Sequence, residues 1–156
     1  MEKEITTQDW NMVSEVELVY KSRVKASLRP QLKKVSDVYE FLKQNWDENK
    51  IELFEQFKVI LLNKNYKVLG IYEASSGGVS GTVADPKLIF MTALKMNACN
   101  LIISHNHPSG NTEPSEADKR LTNKIKDGAL LLDMHLMDHI ILTAENYFSF
   151  ANEGLL

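Results

Sequence analysis

Two of the chain's four histidines, His105 and His107, flank a single residue at the end of the short apolar run Leu101 to Ser104. In an extended backbone residues i and i+2 point the same way, so both imidazoles can reach one metal ion at roughly 2.0–2.1 Å. Asn106, between them, points elsewhere. An H-x-H pair arises by chance in roughly one chain in ten with this histidine content, and histidines at a strand end are often plain solvent-facing turn residues, so the pair alone is weak. The next residues strengthen it. Pro108, Ser109 and Gly110 turn the chain, and Ser115 with Asp118 opens a helix, bringing a carboxylate back toward the strand end. Two imidazoles and a carboxylate leave a fourth tetrahedral position for water, the pattern of a catalytic rather than a structural zinc site. His105, His107 and Asp118 are therefore the expected ligands of Zn2+. Ser115 and Asp118 also have the spacing of a capping box, with Asp in place of Glu, and the two roles are compatible.

Zinc chemistry on water needs a proton acceptor, and a carboxylate on a core-facing strand position is the natural candidate. Glu55 shares a phase with Leu53, Phe57, Val59 and Leu61, so it falls on an apolar face. Glu73 shares a phase with Leu69 and Ile71 and is an equal rival on periodicity, whereas Glu52 lies in the phase of Gln56 and Lys58 and reads as solvated.

Several elements must hold these residues. Residues 1–12 read as an adaptable arm, and Val16, Leu18 and Tyr20 as one face of a half-buried strand. Lys21 to Lys34 carries six basic residues and no acidic one, with Pro30 midway, which reads as a linker. Ser36 is placed to cap a helix whose stripe is Val38, Phe41, Leu42 and Trp46. Strands over Phe54 to Leu62 and Lys67 to Glu73 are joined by the turn Asn63, Lys64, Asn65 as an antiparallel hairpin. Ser75 to Thr82 is a flexible loop, and Asp85-Pro86 opens a helix over Lys87 to Asn97. Leu101 to Ser104 has the continuous apolar character of a central strand buried on both faces. A helix from Ser115 to about Leu131, a core strand bearing Leu136, Ile140 and Leu142, and a short final strand complete the pattern. Interleaved strands and helices with one hairpin predict an α/β fold with a mixed sheet between helices.

With 156 residues, 44% of them apolar, the chain suits one domain. A net charge of -3 argues against a nucleic-acid binder acting through overall charge. Cys99 is the only cysteine, which excludes an internal disulfide and a cysteine zinc cage and points to a reducing, cytoplasmic setting. No apolar run approaches the roughly 18 residues of a membrane span, so no membrane partner is expected. Other metal folds fail on size or sequence: an amidohydrolase barrel needs about 250 residues. An H-x-H-x-D-H site would need Asp and His where Ser109 and Gly110 stand.

His105, His107, Pro108, Ser115 and Asp118 together resemble the JAMM (MPN-plus) metalloprotease motif, H-x-H-P-x(6)-S-x(2)-D, and HNHPSGNTEPSEAD looks like its RadC branch. The resemblance runs from about Val35 to Leu156 and takes in EQFKVILLN, Gly81 and Thr82 before a helix, DHIIL and FSFANEGLL. It implies a cytidine-deaminase-like (JAB/MPN) fold, Glu55 rather than Glu73 as general acid/base, and Ser115 as a stabiliser of the developing oxyanion. Asn106 stands where eukaryotic deubiquitinating members commonly have Ser or Thr, so ubiquitin specificity does not carry over. Full-length RadC proteins resemble a fusion of this domain to a helix-hairpin-helix region; only some 35 residues precede the match here, a short form. The organisation that follows is an N-terminal strand and basic linker over residues 1–34 and a RadC-type domain over residues 35–156.

Three functions compete. A zinc metallopeptidase or isopeptidase acting on a peptide or protein substrate accounts for the ligands and Glu55 together. A nucleic-acid processing or DNA repair-associated protein keeps the zinc and would contact phosphates through Lys21, Arg23, Lys25 and Arg29. A non-enzymatic interaction module has no need of intact ligands plus Glu55. The oligomeric state is not legible.

Overall fold

Two continuously apolar stretches, Val59 to Leu62 and Leu101 to Ile103, form the middle of one sheet, where both faces of a strand are covered and period-2 alternation disappears. The computed structural model describes residues 21–77 and 84–156. The expected strand and arm within residues 1–20, and residues 78–82 of the Gly-rich loop, lie outside them.

Five strands, β1 (Gln56–Leu62), β2 (Val68–Ser76), β3 (Asn100–Asn106), β4 (His135–Leu142) and β5 (Tyr147–Ser149), lie in the order β2-β1-β3-β4-β5. β1 pairs antiparallel with both β2 and β3, β3 and β4 are parallel, and β5 returns antiparallel on β4. A parallel pair needs a crossover, which is supplied by the helix α3 (Glu116–Leu131). The fold is α/β with a mixed sheet between helices, as the sequence predicts.

Each face of the sheet has its own core. Phe57, Val59, Leu61, Leu101, Ile103 and Leu136 pack on Ile89 and Ala93 of α2 (Pro86–Lys95) and Ile125 and Ala129 of α3. Ile60, Leu62, Val68, Ile102, Ile140 and Leu142 face Val38 and Leu42 of α1 (Val35–Gln44), with Leu32, Trp46 and Ile51 around them. α2 opens as expected: Pro86 stands at its first turn and the Asp85 carboxylate accepts from Lys87 N–H at 2.9 Å.

Three sequence expectations need correction. Ser36 does not cap α1. The N-cap is Lys34, two residues earlier, because Asp37 reaches back and accepts from Lys33 and Lys34 N–H at 3.0 and 2.9 Å. Trp46 lies beyond the end of α1 yet is buried, with the Lys58 ammonium 4.5 Å from its ring centroid. The first hairpin strand begins at Gln56, not Phe54, and every one of its residues is buried; Leu53, read as part of its apolar face, is 60% exposed. Alternation misleads here because β1 is interior to the sheet and the residues before it form hydrogen-bonded turns on Lys50.

The basic stretch is partly docked. Gln31 bridges to Lys67, Val68 N–H donates to Pro30 O at 2.9 Å, Leu32 N–H donates to Tyr66 O at 3.0 Å, and Leu32 is buried. Lys21, Arg23 and Lys25 remain exposed, while Arg29 is half-buried and donates to Val24 O at 3.2 Å.

Candidate metal centre

β3 ends in Ser104, His105 and Asn106, and its pleat sends His105 to the α3 face with Ile103 and Leu101. His107 follows directly, tied to the end of β4 by donating its N–H to Leu142 O at 2.9 Å. The chain then reverses at Gly110, whose φ of +80° lies in the left-handed region and whose N–H donates to His107 O. This turn and the extended segment after it deliver Ser115 as the N-cap of α3, one helical turn from Asp118.

The ligating atoms of His105, His107 and Asp118 all lie within 4.8 Å of one another. His105 Nε2 is 2.9 Å from His107 Nε2 and 3.3 Å from Asp118 Oδ1, and His107 Nε2 is 3.9 Å from Asp118 Oδ2. The capping box is real as well: Ser115 Oγ accepts from Asp118 N–H at 3.1 Å, while Asp118 Oδ2 accepts from Ser115 N–H and Oγ–H, both at 2.7 Å. Asp118 thus serves the helix end with Oδ2 and turns Oδ1 toward His105.

Proton positions bear on whether a cation fits. His107 Nδ1 is 2.6 Å from Asn111 O, and a carbonyl only accepts, so Nδ1 carries the proton and Nε2 a lone pair. That lone pair and the Asp118 carboxylate both face His105 Nε2. Burial pushes the His105 pKa from 6.5 down to about 4, Asp118 pulling it back up and His107 lowering it further, so the ring is neutral at ordinary pH. Neutral imidazoles and an ionised carboxylate are the donor set that a divalent metal requires.

Glu55 immediately precedes β1 and is half-buried. Two residues on, Phe57 has its Cα opposite His105 and its ring stacked on the imidazole at 6.0 Å between centroids. Glu73 sits across from Lys58, in the alternate phase, on the α1 face. There it pairs with Lys58 at 3.8 Å and accepts from Gln56 Nε2 at 3.1 Å. The sheet therefore separates Glu73 from the histidines. A hollow of about 470 Å³ opens between Glu52, Ser109, Thr143 and Asn146, and none of the three ligands lines it.

A family model described as the RadC-like JAB domain matches residues 32–155. The chain belongs to this family. Among curated relatives, a UPF0758 protein of Flavobacterium johnsoniae is 45% identical over 101 residues, or 65% of this chain and 44% of that one. A UPF0758 protein of Porphyromonas gingivalis is 46% identical over 103 residues, 65% of this chain and 45% of its own. The UPF0758 protein YfjY of Escherichia coli is 36% identical over 102 residues, 65% of this chain and 64% of its own. The chain spans about half the length of the first two.

Within this RadC-like JAB domain, two groups of residues at the site escape sequence reasoning. Asn106 is fully buried: it donates to Ile51 O at 2.7 Å and Phe54 O at 2.9 Å and accepts from Gln56 N–H at 2.7 Å. Its carboxamide thereby fastens the backbone on either side of Glu55 to the metal-facing strand. His139 and Thr122, also buried, line up behind His105, with His105 Nδ1 2.8 Å from His139 Nε2 and His139 Nδ1 2.6 Å from Thr122 Oγ1. The available signal was a histidine inside the apolar run of β4 and a polar Thr on the inner stripe of α3, each needing a buried partner.

Proposed function

We infer that the domain is a zinc-dependent hydrolase, a metallopeptidase or isopeptidase of the JAMM type, acting on a peptide or protein. The observation that carries this reading is the convergence of His105, His107 and Asp118 within 4.8 Å, three ligands of the number and kind that catalytic zinc takes. Zinc held there supplies acidification of a water molecule and polarisation of a substrate carbonyl. Glu55 takes the proton from the attacking water and returns it to the leaving amine, a role supported by its half-buried position directly before β1, two residues from the Phe57 that stacks on His105. Ser115 steadies the oxyanion. Its hydroxyl now donates to Asp118 Oδ2, so this role requires a rotation about χ1 on substrate binding.

A reducing, cytoplasmic setting belongs to the same proposal, resting on the free thiol of Cys99. Among the described residues no helix is long and apolar enough to cross a membrane.

Metal analysis of the purified wild type beside His107→Ala and Glu55→Gln tests the centre. Near-stoichiometric zinc is expected in wild type and Glu55→Gln and its loss in His107→Ala; equal metal in all three removes the site. Peptide and isopeptide turnover should then vanish in Glu55→Gln and on chelation, and chelator-insensitive turnover rejects zinc chemistry. A second reading, processing of nucleic acid, draws on Lys21, Arg23, Arg29 and Lys95 lining one cavity of about 350 Å³. Salt-sensitive DNA binding that disappears when these four are neutralised would favour it.

A further inference from the structure

A histidine that ligates through Nε2 must carry its proton on Nδ1, and nothing within the imidazole itself enforces that choice. The residues behind His105 do. His105 Nδ1, His139 Nε2, His139 Nδ1, Thr122 Oγ1 and Asp118 O form an unbroken chain with successive separations of 2.8 Å, across the ring, 2.6 Å and 2.6 Å. All of it is inside the protein: His139 is 0% and Thr122 1% exposed, and the His139 ring lies against Phe150 at 4.6 Å between centroids.

The chain ends on a backbone carbonyl, which sets its protons from that end; at the other end the bare Nε2 of His105 then faces the bare Nε2 of His107 at 2.9 Å, a contact of lone pairs that a cation between them relieves. Asp118 O can only accept, so the single hydroxyl proton of Thr122 must point to it. Thr122 Oγ1 then has only lone pairs left for His139, which must donate from Nδ1. A neutral His139 that carries its proton on Nδ1 has a bare Nε2, so His105 must donate from Nδ1. The reverse direction would set Thr122 Oγ1 and Asp118 O, two acceptors, 2.6 Å apart with no hydrogen between them. A doubly protonated His139 would place a charge between aromatic rings.

We propose that Thr122 and His139 are positioning residues that lock His105 in the Nδ1–H tautomer, holding its Nε2 lone pair toward His107 and Asp118 in advance of metal binding. The residue whose carboxylate faces the site thus also dictates, through its own carbonyl, which face of His105 is free to ligate. α3 and β4 are thereby coupled to the metal through one directed line of hydrogen bonds. The inference rests on the metal reading of the three ligands for its purpose, and its test separates the two.

The test compares wild type, Thr122→Val and Thr122→Ser. Valine keeps the shape and removes the hydroxyl; serine keeps the hydroxyl. Imidazole nitrogen-15 spectra of the metal-free proteins should show His105 protonated on Nδ1 in wild type and Thr122→Ser, and a loss of that preference in Thr122→Val. In competition with a chromophoric chelator, zinc affinity should fall about 10- to 100-fold in Thr122→Val, the usual effect of losing a partner that orients a ligand, and stay close to wild type in Thr122→Ser. Wild-type His105 protonated on Nε2 overturns the proposal, as does a Thr122→Val protein that binds zinc as tightly as wild type. If wild type takes no zinc, the hydrolase reading fails while the metal-free spectra still decide the tautomer. If Thr122→Val does not fold, the wild-type spectrum alone decides it.

Discussion

Asp118 Oδ2 takes two hydrogen bonds from Ser115, and these do two things at once: they close the N-terminus of α3 and hold the carboxylate so that Oδ1 faces His105. Replacing Ser115 by Ala removes the acceptor for Asp118 N–H and the hydroxyl donor to Oδ2, leaving the backbone bond. We expect a stability loss of about 1 kcal/mol, typical of a lost cap, readable as a shift in the urea midpoint. Metal affinity should fall by roughly tenfold in the same variant as Asp118 gains freedom, readable by chelator competition, with Ser115→Thr close to wild type. A variant that loses stability and keeps its affinity would reduce Ser115 to a cap. This dual use also explains what was legible in the sequence. H-x-H at a strand end and S-x-x-D at a helix start are local patterns, so His105, His107, Ser115 and Asp118 reveal their elements and directions within a few residues of themselves. His139 touches His105, and Thr122 touches His139, across 34 and 17 residues of chain, separations at which no periodicity speaks.

At the scale of elements, the two strands of the hairpin and the sheet centre meet the site through Asn106. Three backbone groups of the segment before β1, Ile51 O, Phe54 O and Gln56 N–H, depend on one buried carboxamide. Asn106→Ala strands all three, and orphaned buried groups cost about 1–3 kcal/mol apiece. With partial rescue by water, the expected destabilisation is about 3 kcal/mol, measurable by denaturant unfolding. The folded fraction should still bind metal, because His105 and His107 hang on β3 and on the bond to Leu142. A loss below about 1 kcal/mol would mean that the segment carrying Glu55 is held by something else. The hairpin turn, the Pro86 helix start and the Ser115 helix were legible because each is fixed by its own residues. The start of β1 was not, since its burial on both faces depends on β3 lying beside it and α1 lying over it, facts of topology rather than of the segment. Ser36 misled for a related reason: a serine near a helix start competes with an Asp one position on that can reach two N–H groups at once.

For the whole molecule, the two buried imidazoles make folding sensitive to acid in a direction that can be worked out. Burial lowers the pKa of His105 to about 4 and that of His139 well below the ordinary 6.5, with neighbouring histidines lowering both further. In the unfolded chain both regain values near 6.5, so between about pH 6.5 and 4 the unfolded state binds protons that the folded state refuses. Stability of the metal-free protein therefore rises with pH across that window, by up to about 1.4 kcal/mol per pH unit for each group, and these two histidines contribute no slope well above 7. Chelated protein unfolded in urea at a series of pH values should lose stability steadily from about pH 7 to 4.5, and His139→Phe should flatten the curve by the share of one proton. Zinc adds to the same slope, since it binds only the folded, deprotonated site and so raises stability most at neutral pH. A metal-free curve that stays level down to pH 4.5 would mean that the histidine cluster opens to water or charges within the fold, and the tight packing of His105 and His139 against Phe57 and Phe150 would then have to give way.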